Sequence, residues 1–162
     1  MPSTRPSVMA ALTLALALLL PAPAEAKAWQ GIEPGRSTGD EVVTRFGEPT
    51  TRKQRGARSV IAYKGDQALT GTKEVQFHCR GDGVVEEITV FLSATLDAES
   101  VEGTFGKPQS KTFVESTFQK VWLYPGKGVT VYFDKESNVD AITYAAPAAQ
   151  KGAAPPAAEK AP

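Results

Sequence analysis

A single histidine, His78, and a single cysteine, Cys79, stand side by side in the stretch VQFHCR, and proton transfer, thiol chemistry or metal binding would have to start from them. Val75, Phe77 and Cys79 alternate with Gln76, His78 and Arg80, the pattern of a strand with one apolar and one wet face, so the two side chains point opposite ways. They cannot share one ligand set, and a zinc site of the usual kind would need two or more carboxylates besides. His78, with Arg80 as its neighbour on the wet face, could serve as a base, but the fold would have to bring it a serine. The chain contains no G-x-S-x-G elbow, no HExxH and no glycine-rich phosphate loop. This inventory points away from an enzyme, leaving a hydrolase using His78 as the catalytic alternative. No cofactor and no metal are expected.

Binding chemistry is better supplied. Gln76, His78 and Arg80 make one polar row, Phe91 points away from Ile88 and Val90, and Tyr132 points away from Val131 and Phe133. Aromatic and arginine side chains are the usual anchors of protein contacts, so His78, Arg80, Phe91 and Tyr132 are the candidate partner-binding residues. An ordinary wet face with scattered aromatics is the alternative, and Val121 and Leu123 indicate that part of the face is covered. A second candidate lies in TTRKQRGARS, where Arg52, Lys53, Arg55 and Arg58 crowd a polar segment around Gly56. It reads as a solvated hairpin or crossover loop, or as an anion site for a lipid headgroup or an acidic protein patch.

The elements that position these residues come twice. STGDEVVTRFGEP, residues 37–49, returns 59 residues later as DAESVEGTFGKP, with Thr38, Val42, Phe46, Gly47 and Pro49 matched by Asp97, Val101, Phe105, Gly106 and Pro108. Thr38 with Glu41 makes a capping box and Asp97 a simple cap, while Gly-x-Pro ends each short helix. Such helices are unstable alone and must lay their Val and Phe against something else. Strand-like runs follow at 59–63, 74–80 and 84–92, then at 118–124, 128–133 and 139–144, separated by glycine-containing or polar turns. Across the copies, Ile61 and Tyr63 correspond to Trp122 and Tyr124, Val75 and Phe77 to Val131 and Phe133, and Val85 and Ile88 to Val139 and Ile142. Trp29 is expected as a lid over the first copy, and Cys79 as a buried strand residue. The expected fold is α+β, two tandem helix-plus-three-stranded antiparallel sheet repeats forming one domain over 27–144, with repeat 1 about 29–92 and repeat 2 about 93–144.

The ends of the chain suggest a compartment. Arg5, an apolar run from Val8 to Leu20 and Ala24-Glu25-Ala26 have the layout of a secretory signal peptide over 1–26, and no lipid-attachment cysteine stands near the cleavage site. Cleavage would leave 162 − 26 = 136 residues with 17 basic and 17 acidic side chains, a balance that favours neither nucleic acid nor bulk anionic membrane. Residues 145–162, alanine- and proline-rich with no aromatic or β-branched residue, read as a disordered tail.

A Gly turn, a capped helix carrying Val and Phe, then Phe-Gly-x-Pro and an aromatic strand ending in Tyr resemble the BamE/SmpA family of outer-membrane assembly proteins. The tandem arrangement is similar to the β-lactamase-inhibitor-protein-like fold of that family. The resemblance covers Ile32 to about Leu92 and Leu96 to Tyr144. It implies a helix layer on antiparallel sheet, an export compartment and protein binding instead of catalysis, with no functional residue carried over by position. The chain departs from the family in lacking the lipid-attachment cysteine and in showing one helix per repeat. The functional expectation is therefore an exported, non-enzymatic protein-binding or scaffold protein of the bacterial cell envelope, located in the periplasm or outside the cell, with outer-membrane assembly as the setting that the resemblance implies. The alternative is an inhibitor of an extracellular enzyme. The expected partner is another protein, with no nucleic acid, no membrane span after cleavage, and peripheral envelope association left open.

Overall fold

The structure, a computed structural model, describes residues 26–146. The expected signal peptide up to Glu25 and the expected tail beyond Ala146 lie outside the described residues.

Helix α1 (Gly39–Phe46) starts where the capping box places it. The Thr38 hydroxyl accepts from the Glu41 N–H, and the Glu41 carboxylate accepts from the Thr38 N–H, both at 3.2 Å. It stops at Gly47, whose φ of 82° and ψ of −166° lie in a region costly for any residue with a Cβ. Strands β1 (Thr51–Arg55), β2 (Arg58–Lys64), β3 (Thr72–Cys79) and β4 (Val85–Leu92) follow. Helix α2 (Ala98–Phe105) then repeats the design, with the Asp97 carboxylate accepting from the Ser100 N–H at 2.8 Å and Gly106 at φ 81° ending it. Strands β5 (Ser110–Val114), β6 (Gln119–Tyr124), β7 (Val129–Phe133) and β8 (Val139–Ala145) complete the chain. Ala145, expected in the tail, is the last residue of β8.

All eight strands join one antiparallel sheet in the order β1-β2-β3-β4-β8-β7-β6-β5. This corrects the expected fold: the chain is not two tandem helix-plus-three-stranded repeats but a single eight-stranded sheet carrying two short helices. The strands absent from the expectation are β1 and β5, which hold the two edges. Their side chains are almost all exposed, so neither face needs an apolar residue, and TRKQR and SKTFV carry no strong period-two signal. A hydrogen-bonded edge strand of this kind reads as a polar loop.

The pairing register also fixes which residues are equivalent in the halves. Ile88 lies opposite Phe77, and Ile142 opposite Val131, so Phe77 matches Val131 and Cys79 matches Phe133, not the Phe77–Phe133 pairing that residue type suggests. Ile61 and Tyr63 do match Trp122 and Tyr124, each pair facing the same register positions on the next strand. Both hairpins carry a bulge at the same place, Glu86 being the extra residue between Val85 and Glu87, and Asp140 between Val139 and Ala141.

Both helices pack on one face of the sheet. A single apolar cluster runs from Val42, Ile61, Tyr63 and Phe77 to Val101, Phe105, Trp122 and Phe133. Trp29 lies over the first half of it, 6.1 Å from the Phe46 ring and 6.0 Å from that of Phe77. Cys79 is buried in the same cluster. Each half has a strut from sheet to helix end: the Tyr63 hydroxyl donates to the Gly47 carbonyl at 2.8 Å, and the Tyr124 hydroxyl to the Gly106 carbonyl at 3.0 Å. Among the described residues, no helix is long and apolar enough to cross a membrane.

Candidate functional site

The face of the sheet away from the helices is where the chain's polar chemistry collects. On β1, Arg55 stands opposite Arg58 and Lys53 opposite Val60; on the next strands Val60 stands opposite His78, and His78 opposite Glu87. Lys53, Val60, His78 and Glu87 therefore form one row running across four strands. The neighbouring row contains Thr51, Ala62, Gln76 and Thr89 and continues into Thr143 and Thr130 of the second half. The first row, with Thr51, Ala62 and Gln76 of the second, floors a depression of about 450 Å³. Its margins carry Arg55, Arg58, Lys64, Glu74 and Glu86.

Hairpin β1–β2 sets the cations. Gly56, at φ 61°, takes the first position of a two-residue turn, and this tight turn keeps residues 53, 55, 58 and 60 on one face. Arg52 alternates to the helix side, where its charge acts on Tyr63 and Cys79. Of the four basic residues picked out in the sequence, three converge on the depression and Arg52 does not. Arg58 reaches Glu86 at 3.3 Å, and Gln76 donates to the Glu74 carboxylate at 2.7 Å. Partial burial makes the floor electrostatically sensitive. It pushes the His78 imidazole below its ordinary pKa, against the opposing pull of Glu86 and with help from Arg55 and Arg58. Burial, reinforced by the Glu86 charge, pushes the Glu87 carboxyl up. Two buried side-chain atoms on this face, His78 Nε2 and Thr143 Oγ1, have no hydrogen-bond partner within the protein, whereas the Thr89 hydroxyl lies beside the Glu87 carboxyl and acts on it. Unpartnered groups carry a desolvation cost that a bound polar group can relieve.

The other predicted contact residues fare differently. Arg80 lies at the β3–β4 turn, held by Asp82 at 3.0 Å, outside the depression. Phe91 is half-buried and packs beside Tyr132. Tyr132 is 2% exposed, so it supplies packing instead of an exposed anchor. Its hydroxyl pKa is pushed up to about 12 by burial and by the Glu87 charge. The register explains the difference. Tyr132 is the counterpart of His78, and the row equivalent to Lys53-Val60-His78-Glu87 is Thr112-Val121-Tyr132-Ala141. Val121, Tyr132 and Ala141, with Val114, Leu123 and Phe91, make a second small apolar cluster. One half of this face is thus charged and open, and the other apolar and closed. The exposed large apolar side chains among the described residues are Phe113 and Phe118 of the β5–β6 hairpin.

The depression can do some chemistry and not other chemistry. Among the described residues there is no group of three or more His, Cys, Asp or Glu placed to hold a metal ion. His78 and Glu87 can exchange protons and hydrogen bonds with a ligand, and the lining holds cations and carboxylates that can take groups of opposite charge. Sequence reasoning missed Glu87, Glu74 and Glu86 as members of this site. The parity of Glu87 with Thr89 was visible, but its place beside His78 follows only from the strand pairing.

The sequence matches no family model and no curated protein. Among solved structures, that of a DUF4309 family protein (YjgB) from Bacillus subtilis subsp. subtilis str. 168 is similar to this chain at a TM-score of 0.54, covering 72% of this chain and 83% of that one at 17% identity, a likeness of fold.

Proposed function

We propose that this is an exported, non-enzymatic protein-binding or scaffold protein of the bacterial cell envelope, and that the charged half of the far sheet face is its contact surface. The observation that carries the reading is the row Lys53-Val60-His78-Glu87 flooring a depression in which both signs of charge and the unpartnered His78 Nε2 are held on a paired four-stranded frame. A rigid frame limits the ordering cost of association, and mixed charges give specificity more than raw affinity. The leader-like stretch before Lys27 supports export, to the periplasm or the exterior. The resemblance to the BamE/SmpA family favours outer-membrane assembly as the setting in which to seek the partner.

The test is site-specific photo-crosslinking in the cell that makes the protein, with the crosslinker placed at Val60 in the depression or at Glu99 on the exposed side of α2. The expected result is one crosslinked protein from Val60 and none from Glu99. Equal labelling from the two positions, or none from either, would overturn the reading.

A further inference from the structure

Arg58 meets Glu86 and Lys64 stands opposite Glu74, but along the row Lys53-Val60-His78-Glu87 the two signs of charge are held apart, and that separation specifies a ligand. The cations Lys53, Arg55 and Arg58 come from the β1–β2 hairpin, whereas Glu86 and Glu87 come from β4. Within the single row the cation Lys53 and the carboxyl of Glu87 are three strand spacings apart, about 14 Å at roughly 4.8 Å per spacing. An extended peptide advances about 3.4 Å per residue, so it covers that distance in about four residues. We infer that the depression takes an extended segment of a partner protein bearing an acidic side chain and, about four residues along, a basic one, laid across the strands with the acid at the β1–β2 cations and the base at Glu87. This inference rests on the protein-binding reading and names the chemistry of the partner.

Three further observations support it. Arg55 and Arg58 are directly opposed in register, a like-charge pairing that the Arg58–Glu86 contact at 3.3 Å offsets in part and that an incoming carboxylate at Arg55 would offset further. At the middle of the row, His78 Nε2 is buried without a partner, facing Val60 on one side and Glu87 on the other, within reach of the charges of Arg55, Arg58 and Glu86. A peptide crossing there offers backbone N–H and C=O groups to it. The third observation is the balance of the lining, four basic side chains against three acidic ones. A phosphate or a dense anionic lipid surface would meet the carboxylates as well as the cations, while a segment of mixed charge satisfies both ends.

The test uses a blocked five-residue peptide with glutamate first and lysine fifth, titrated into the protein and followed by amide chemical shifts. A peptide of the same composition with the two charges adjacent is the comparison. Shifts centred on Val60, His78 and Glu87, and binding at least several-fold tighter than that of the adjacent-charge peptide, are expected. Arg55→Ala and Glu87→Gln should each weaken binding about fivefold, the scale of one partly exposed charge pair. Arg52→Ala removes the same charge from the same strand on the other face and should leave affinity unchanged. Equal binding of both peptides, or equal loss in Arg52→Ala and Arg55→Ala, would overturn the inference. So would inorganic phosphate or phosphatidylglycerol vesicles binding in an Arg55-dependent way while the peptide does not. Peptide selectivity kept while Val60 crosslinks nothing would remove the partner reading alone; a Val60 crosslink kept without peptide selectivity would remove the inference alone.

Discussion

Replacing Tyr63 with Phe isolates one hydrogen bond and leaves its surroundings alone. The Tyr63 side chain is 1% exposed, its ring meets Phe46 and Phe77 edge-on at centroid distances of 5.9 and 6.0 Å, and its hydroxyl donates to the Gly47 carbonyl at 2.8 Å. The phenyl ring keeps the packing, so the loss is the net hydrogen bond, about 1 kcal/mol, plus part of the cost of leaving the Gly47 carbonyl unpaired at the helix end. We expect about 1–2 kcal/mol in all. With a urea slope of about 2 kcal/mol/M for a domain of this size, the unfolding midpoint should fall by about 0.5–1 M with the slope unchanged. Tyr124→Phe removes the counterpart bond to Gly106 and should cost about the same. The two struts share no partner, so the double variant should lose the sum, about 2–4 kcal/mol out of a total near 5–15. Unaltered midpoints in both single variants would refute the idea that these hydroxyls tie sheet to helix. A double variant well short of the sum would refute their independence.

Gly128 sits at φ 64°, and a Cβ there would run into the carbonyl oxygen of Ala145, so Gly128→Ala should cost about 3 kcal/mol or more, read as a fall in thermal midpoint. Phe105, 5% exposed against the Tyr124 ring, should cost about 3–5 kcal/mol as Phe105→Ala, measured by denaturant unfolding. Tyr132 and Tyr144 both have folded-state pKa values pushed up to about 12 by burial, from an unfolded value near 10. Between those values the folded chain binds more protons than the unfolded one, so stability is full below pH about 10 and declines as pH rises toward about 12. Tyr132→Phe should flatten that decline in unfolding curves taken at a series of alkaline pH values, and a profile as steep as wild type would refute the assignment.

The short helices were legible because their signals are local: a capping side chain, two turns of apolar spacing and a glycine at positive φ. Strands β2 to β4 and β6 were legible because burial of one face writes alternation into the sequence, and β7 and β8, buried on both faces, because they are dense in β-branched and aromatic residues. Nothing writes β1 and β5 into it, since an edge strand exposed on both faces obeys no apolar constraint, and the fold class was misjudged for that reason. Matching Phe77 to Phe133 failed because residue type is a poorer guide than main-chain register, and the bulges at Glu86 and Asp140 confirm the register. For the site, His78 and Gln76 could be placed on a wet face by parity. The convergence of Lys53, Arg55 and Arg58 depends on a two-residue turn at Gly56-Ala57, a signal present in RGAR but readable there as a loop glycine. Tyr132 has the parity of His78 but the opposite burial, because its neighbours across the sheet are Val121 and Ala141. Parity fixes the face of a strand, and only the neighbouring strands fix whether that face is open.

The mirror order of the sheet, with β4 against β8 at its centre, is the order that two identical four-stranded units would adopt about a twofold axis. In such a dimer of identical chains any mutation falls at both sites together, so a charge introduced to recognise a ligand is imposed equally where the partner copy needs an apolar residue. Linking the copies in one chain removes that restriction, because each position can then be selected separately. His78 and Tyr132, Glu87 and Ala141, and Lys53 and Thr112 occupy equivalent places, titratable imidazole, carboxyl and ammonium in the first half against phenol, methyl and hydroxyl in the second. The second copy can keep the sheet closed while the first is free to change its charges.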